Sequence, residues 1–109
     1  MSDVFEVPKL LQKQGADPYQ EFFRIPAMSA GIYVLPAGGV DRQHPHREDE
    51  IYYVIRGKAK IRLGGEERTA QEGSVIFVEG GLEHRFFDIE QELALLVVFA
   101  PAESNRRGG

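Results

Sequence analysis

The chain has 109 residues, of which 42% are hydrophobic and 28% charged, a net charge of -4 and no cysteine. That length suits one domain with its own core, and the missing cysteines exclude disulfides, thiolate nucleophiles and zinc–thiolate sites, so any metal must be held by nitrogen and oxygen. The acidity argues against a nucleic-acid partner, which needs a clustered basic face that Arg106 and Arg107 do not supply.

The opening MSDVFEVPKLL has neither a basic leader nor an unbroken apolar region, and no segment approaches the roughly 20 apolar residues that span a bilayer. The expectation is a cytoplasmic protein with no membrane partner. VFEV is a candidate strand, and PKLLQKQ offers one or two helical turns, with Pro8 at the first helical position and Gly15 as a stop. Asp17-Pro18 marks a turn before the strand YQEFFRI, which Pro26 ends, and SAGIYVL from Ser29 to Leu35 is the next strand. Pro36 and Gly38-Gly39 then turn the chain toward His44.

IYYVI after Glu50 is apolar on both faces, which predicts a strand covered on both sides. Arg56-Gly57-Lys58 turns the chain into KAKIRL, whose Ala59, Ile61 and Leu63 alternate with a solvated basic row. Gly64-Gly65 makes a hairpin into EERTAQ, SVIFV follows Gly73, and Gly80-Gly81 leads to HRFF. LALLVVF, Leu93 to Phe99, is a buried strand with apolar surface to offer a second copy, so a homodimer is expected. About eight to ten short strands with regular turns favour a sandwich or small barrel. Residues 1–103 form the single domain and 104–109 a flexible polar tail.

The chemistry concentrates in GGVDRQHPHREDEIYYVIRG and GSVIFVEGGLEHRFFD, which hold all three histidines. On a strand, residues two apart share a face, so His44 and His46 would present two imidazoles side by side. Pro45 between them fits an edge or strand end. Glu50, at the mouth of an apolar strand, needs a partner because an unpaired buried charge is costly. A divalent cation held by His44, His46, Glu50 and His84 supplies it. By the same alternation Arg42, Tyr52 and Phe86 share the ligand face, Arg42 as a clamp for a substrate carboxylate and the two aromatics as pocket walls. Glu48, Asp49 and Asp88 are candidates to orient a ligand histidine.

These stretches resemble the two motifs of the cupin superfamily. The first family motif is Gly, five residues, His-x-His, three or four residues, Glu, six residues, Gly, matched by Gly38, His44, His46, Glu50 and Gly57. The second is Gly, five residues, Pro-x-Gly, two residues, His, three residues, Asn; Gly73, Gly81 and His84 match, while Glu79 and Asp88 replace the usual Pro and Asn. The resemblance implies an all-β fold, a double-stranded β-helix or jelly-roll barrel, here with a short N-terminal helical turn. It also implies one metal ion, iron, manganese, nickel or zinc, and a small-molecule substrate. The leading expectation is dioxygenase-type chemistry on an oxygenated metabolite chelated at the metal. The alternatives are Lewis-acid isomerase or lyase chemistry on a sugar acid or keto acid, or a metal-stapled binding module without turnover. Some relatives acting on unsaturated uronates carry Gln where this chain has Glu50, which counts against that substrate.

Overall fold

The computed structural model describes residues 2–42 and 45–104. A short helix, α1 (Val7–Gln12), precedes six strands: β1 (Tyr19–Ile25), β2 (Met28–Leu35), β3 (Asp49–Leu63), β4 (Glu66–Gln71), β5 (Val75–Val78) and β6 (His84–Ala100). Pro8 stands in the first turn of α1, where its missing N–H is not needed. VFEV forms no strand: Val7 enters the helix, and Phe5 instead packs edge-on against Phe22 and Phe23 with centroids 4.9 and 6.0 Å apart. YQEFFRI is β1 as expected, and SAGIYVL is β2 with Met28 added.

All strands are antiparallel in one sheet, in the order β1-β2-β6-β3-β4, with β5 also paired to β3. The strands are fewer and longer than the turn signals suggest, because Arg56-Gly57-Lys58 bends β3 without ending it. The β3–β6 register slips at three successive steps between Val54 and Lys60, so the ladder resumes beyond the bend and two expected strands become one. HRFF and LALLVVF merge into β6 in the same way.

Side-chain alternation sorts the sheet into two faces. Tyr33, Leu35, Tyr52, Val54, Ala59, Ile61, Ala70, Val78, Phe86, Leu93, Leu95, Val97 and Phe99 point inward and form one core. Their neighbours Lys58, Lys60 and Arg62 face water, as the alternating pattern of KAKIRL predicts. IYYVI departs from expectation: Tyr52 and Val54 are buried, but Ile51 and Tyr53 are 44% and 41% exposed. An apolar run on both faces does not by itself guarantee that both are covered within one chain.

Past β6 the chain turns back across the sheet. Ala102 N–H donates to Pro26 O at 3.2 Å, Glu103 N–H to the Ser29 hydroxyl at 3.0 Å, and Arg24 to Glu103 O. Ser104 donates from N–H and Oγ to the buried Glu48 at 3.1 and 2.7 Å. Residues 105–109, the rest of the expected tail, lie outside the described residues.

Candidate metal centre

Three of the four expected ligands converge. His46, Glu50 and His84 each offer a ligand atom within 4.8 Å of the others. His44 lies outside the described residues. Glu50 and Tyr52 point inward from β3, and His84, the first residue of β6, pairs across the sheet with Leu63.

Strand parity, expected to aim His46, does not reach it. Pro45 and His46 sit in the loop before β3, which starts at Asp49. Proline cannot donate to a ladder, and the chain does not extend the sheet through it. The loop is held instead by the turn of the second motif. Gly81 N–H donates to His46 O at 2.6 Å and Gly80 N–H to Asp49 Oδ1 at 2.8 Å. A Cβ on Gly80 would stand 2.3 Å from Arg47 O, so only glycine lets the turn lie this close. Glu79 and Asp88, in place of the usual Pro and Asn, leave the turn intact: Leu82 N–H still reaches Glu79 O at 3.0 Å.

Both imidazoles are fixed through Nδ1. In His84 that atom lies 2.9 Å from Leu82 O, which can only accept, so Nδ1 carries the proton of the neutral ring. Nε2 is then the basic nitrogen, 3.1 Å from the Tyr52 hydroxyl and 3.3 Å from Glu50 Oε1. His46 Nδ1 lies 3.0 Å from Glu103 Oε2, which assigns its proton in the same way. Its ring packs edge-on against Phe99, with centroids 4.9 Å apart.

Glu50 is 2% exposed, and neither carboxylate oxygen receives a hydrogen bond from the described residues. The 3.3 Å approach of His84 is an electrostatic contact without hydrogen-bond direction. Burial pulls the His84 pKa down, but Glu50, the Leu82 carbonyl and the charges of Glu50 and Asp41 outweigh it, and the net shift is upward. In His46 burial again lowers the pKa, while the Glu103 hydrogen bond and the charges of Glu50 and Glu103 raise it further. The site thus gathers two imidazoles and one carboxylate, a set of donors that fits a divalent cation.

The remaining expected residues divide. Tyr52, fully buried, brings its hydroxyl to His84 rather than serving as a plain apolar wall. Phe86 is 1% exposed and packs edge-on against Tyr52 at 5.0 Å, a core position behind the site. Arg42 is exposed, in the loop after the buried Asp41. Toward the described histidines, His46 and His84, none of the three carboxylates expected to orient a histidine shows a contact: Glu48 holds Ser104, Asp49 holds Gly80, and Asp88 faces Lys60 at 3.9 Å. Glu103 does so instead. It follows Pro101 in a stretch with no periodicity, and nothing local in PAES marks it as inward-facing. Asp41 likewise escapes the sequence pattern; 1% exposed, it accepts from Tyr33 OH at 2.6 Å and from Phe86 N–H at 2.9 Å, bracing the inner face beneath the site. That neighbouring carboxylate and the burial both push the Tyr33 pKa up, burial contributing most.

An antiparallel sheet with Glu50 and His84 at strand ends beside a glycine turn fits the double-stranded β-helix class. Comparison with known proteins agrees: the cupin domain model matches residues 31–99, and the chain belongs to that family. It is 45% identical over 103 residues to an uncharacterized protein of Streptomyces coelicolor, covering 93% of this chain and 98% of the relative. Among solved structures it is similar to TT1209 from Thermus thermophilus, with 25% identity, TM-score 0.76 and coverage of 93% and 99%. A Klebsiella pneumoniae protein with a double-stranded beta-helix domain superimposes with TM-score 0.77 at 17% identity, covering 93% and 91%. No helix among the described residues is long and apolar enough to cross a membrane.

Proposed function

We propose that His46, Glu50 and His84, with His44 as fourth ligand, hold one divalent cation (iron, manganese, nickel or zinc), and that a small oxygenated metabolite binds there and is converted. The observation that carries this reading is Glu50: both carboxylate oxygens are buried without a donor among the described residues, beside two imidazoles whose Nδ1 atoms are already committed. Uncompensated burial of that charge costs several kcal/mol, and a cation removes the cost. When bound, the cation would polarise a carbonyl or carboxylate oxygen of the substrate.

Tyr52 favours proton transfer as the chemistry, that is, the isomerase or lyase reading on a sugar acid or keto acid. Its hydroxyl lies 3.1 Å from His84 Nε2, excluded from water, where it can give its proton to a substrate oxygen and, as phenolate, take up the proton that a substrate carbon loses. Dioxygenase chemistry would draw on a three-nitrogen, one-oxygen donor set if His44 joins the other three. Anaerobic NMR of sugar acids and keto acids with the metal-loaded chain separates the two. Metal-dependent conversion without O2, falling roughly 100-fold or more in Tyr52→Phe at unchanged metal affinity, supports proton transfer. Conversion only with O2 uptake moves the assignment to a dioxygenase, and no conversion under either condition leaves a binding module.

A second copy of the chain is the proposed partner. Across β5, β3 and β6, Phe77 pairs with Ile51 and Ile51 with Val98, while Val75 pairs with Tyr53 and Tyr53 with Leu96. Val75 and Phe77 are 66% and 60% exposed, Ile51 and Tyr53 close to half, and Leu96 and Val98 partly. The surface thus differs from the one expected: LALLVVF contributes only these last two residues, and β3 and β5 supply the rest. A contiguous apolar patch of this kind suits the centre of a two-fold interface burying about 800 Å² per partner. Sedimentation at micromolar concentration should show a dimer, and Phe77→Glu a monomer; a monomeric parent chain would refute the proposal.

A further inference from the structure

We propose that Glu103 is a positioning residue for the cation site, holding His46 from outside so that the nitrogen opposite the Glu103 contact is presented to Glu50 and His84; this rests on the cation reading above. Glu103 lies 57 positions after His46 and belongs to neither sequence motif, yet it is 4% exposed and its Oε2 meets His46 Nδ1 at 3.0 Å. A long, flexible carboxylate is not buried at a site without restraint. Here the restraint is visible: its own N–H is held by Ser29, which is fully buried, its carbonyl by Arg24, and the residues on either side by Pro26 O and Glu48. Segment 101–104 is thus a strap whose four anchors, on β1, on the turn between β1 and β2, on β2 and on the loop before β3, deliver one carboxylate.

The consequence for His46 follows from imidazole chemistry. A carboxylate at Nδ1 keeps the proton there, fixes the ring rotation and makes the opposite nitrogen more basic, as carboxylate partners of metal-bound histidines do. His84 receives the equivalent restraint from a backbone carbonyl, so the two histidines are oriented by different means. Glu103 Oε1 is buried with no hydrogen-bond donor among the described residues, which fits a charge whose compensation comes from the cation beyond the imidazole.

The test uses the full chain loaded with Co2+, comparing wild type with Glu103→Gln, Glu103→Ala and Ser29→Ala. In wild type the His46 Nδ1–H, shielded and hydrogen-bonded, should give a slowly exchanging, hyperfine-shifted proton signal, assigned by its loss in His46→Ala. Glu103→Ala should broaden that signal through exchange with water and weaken Co2+ binding by about 10- to 100-fold in chelator competition. Glu103→Gln, which retains an acceptor for the Nδ1–H, should restore the signal and part of the affinity. Ser29→Ala, which loosens the strap but keeps the carboxylate, should weaken binding by less than Glu103→Ala. Unchanged affinity and an unchanged signal in Glu103→Ala overturn the proposal while the cation reading stands. A wild-type chain that takes up no Co2+ overturns both. If Glu103→Ala does not fold, Glu103→Gln decides: wild-type signal with reduced affinity supports positioning, and loss of the signal despite the retained acceptor overturns it.

Discussion

Adding Zn2+ or Ni2+ to the metal-free chain at pH 8, at about a hundred times the dissociation constant, is expected to raise its melting temperature by roughly 10 °C or more. Binding at that concentration stabilises by about 2.7 kcal/mol, and a domain of this size moves several degrees per kcal/mol. The rise should vanish in His84→Ala. Its pH dependence has a definite sign. The pKa values of His46 and His84 are raised in the folded chain, where the protonated rings face Glu103 and Glu50. That contribution is complete below the ordinary imidazole value of about 6.5 and is lost as pH climbs through the raised values. The metal-free chain should therefore melt lower at pH 8 than at pH 6. Metal binding needs neutral imidazoles, so the metal-dependent rise should grow over the same interval. Scanning calorimetry at both pH values, with and without metal, reads both trends; parallel trends would remove the link between these histidines and the cation.

Gly57→Ala should be among the most destabilising single-methyl additions in the chain. Gly57 has φ +101°, and a Cβ there would come within 2.2 Å of Glu92 O and 2.8 Å of Leu93 Cα. Both neighbours are backbone of β6, so no rotamer change relieves the contact. The conformational cost alone is about 1–2 kcal/mol, and the displaced ladder adds to it. Urea denaturation should show a loss of at least about 2 kcal/mol, and Gly65→Ala, where nothing lies within 4 Å, should stay within about 0.5 kcal/mol of the parent. Equal behaviour of the two variants would mean that β3 does not need its bend at this residue.

Most of the architecture is legible because period and punctuation agree. KAKIRL alternates, YQEFFRI and SAGIYVL are bounded by Pro and Gly, and the two glycine-spaced motifs name three residues that do converge. Legibility fails where the cause is long-range. Whether Arg56-Gly57-Lys58 ends a strand or bends it depends on β6 staying paired across it, and β6 is distant in sequence. Ile51 and Tyr53 look like core residues because hydrophobicity cannot say which side of a sheet is covered. Local sequence points to Glu48, Asp49 and Asp88 as supports of a ligand histidine, although the residue that meets His46 arrives from beyond β6.

The strand order also constrains how the molecule comes into being. β6 lies between β2 and β3, and it is the last of the strands to be synthesised. Until residues 84–100 emerge, β2 and β3 each present an open edge of unpaired backbone to solvent and to other nascent chains. No stable half-molecule is available on the way: collapse must await the central strand, which makes acquisition of the native state slow and all-or-none. A product ending before residue 84 would be expected in inclusion bodies rather than in solution.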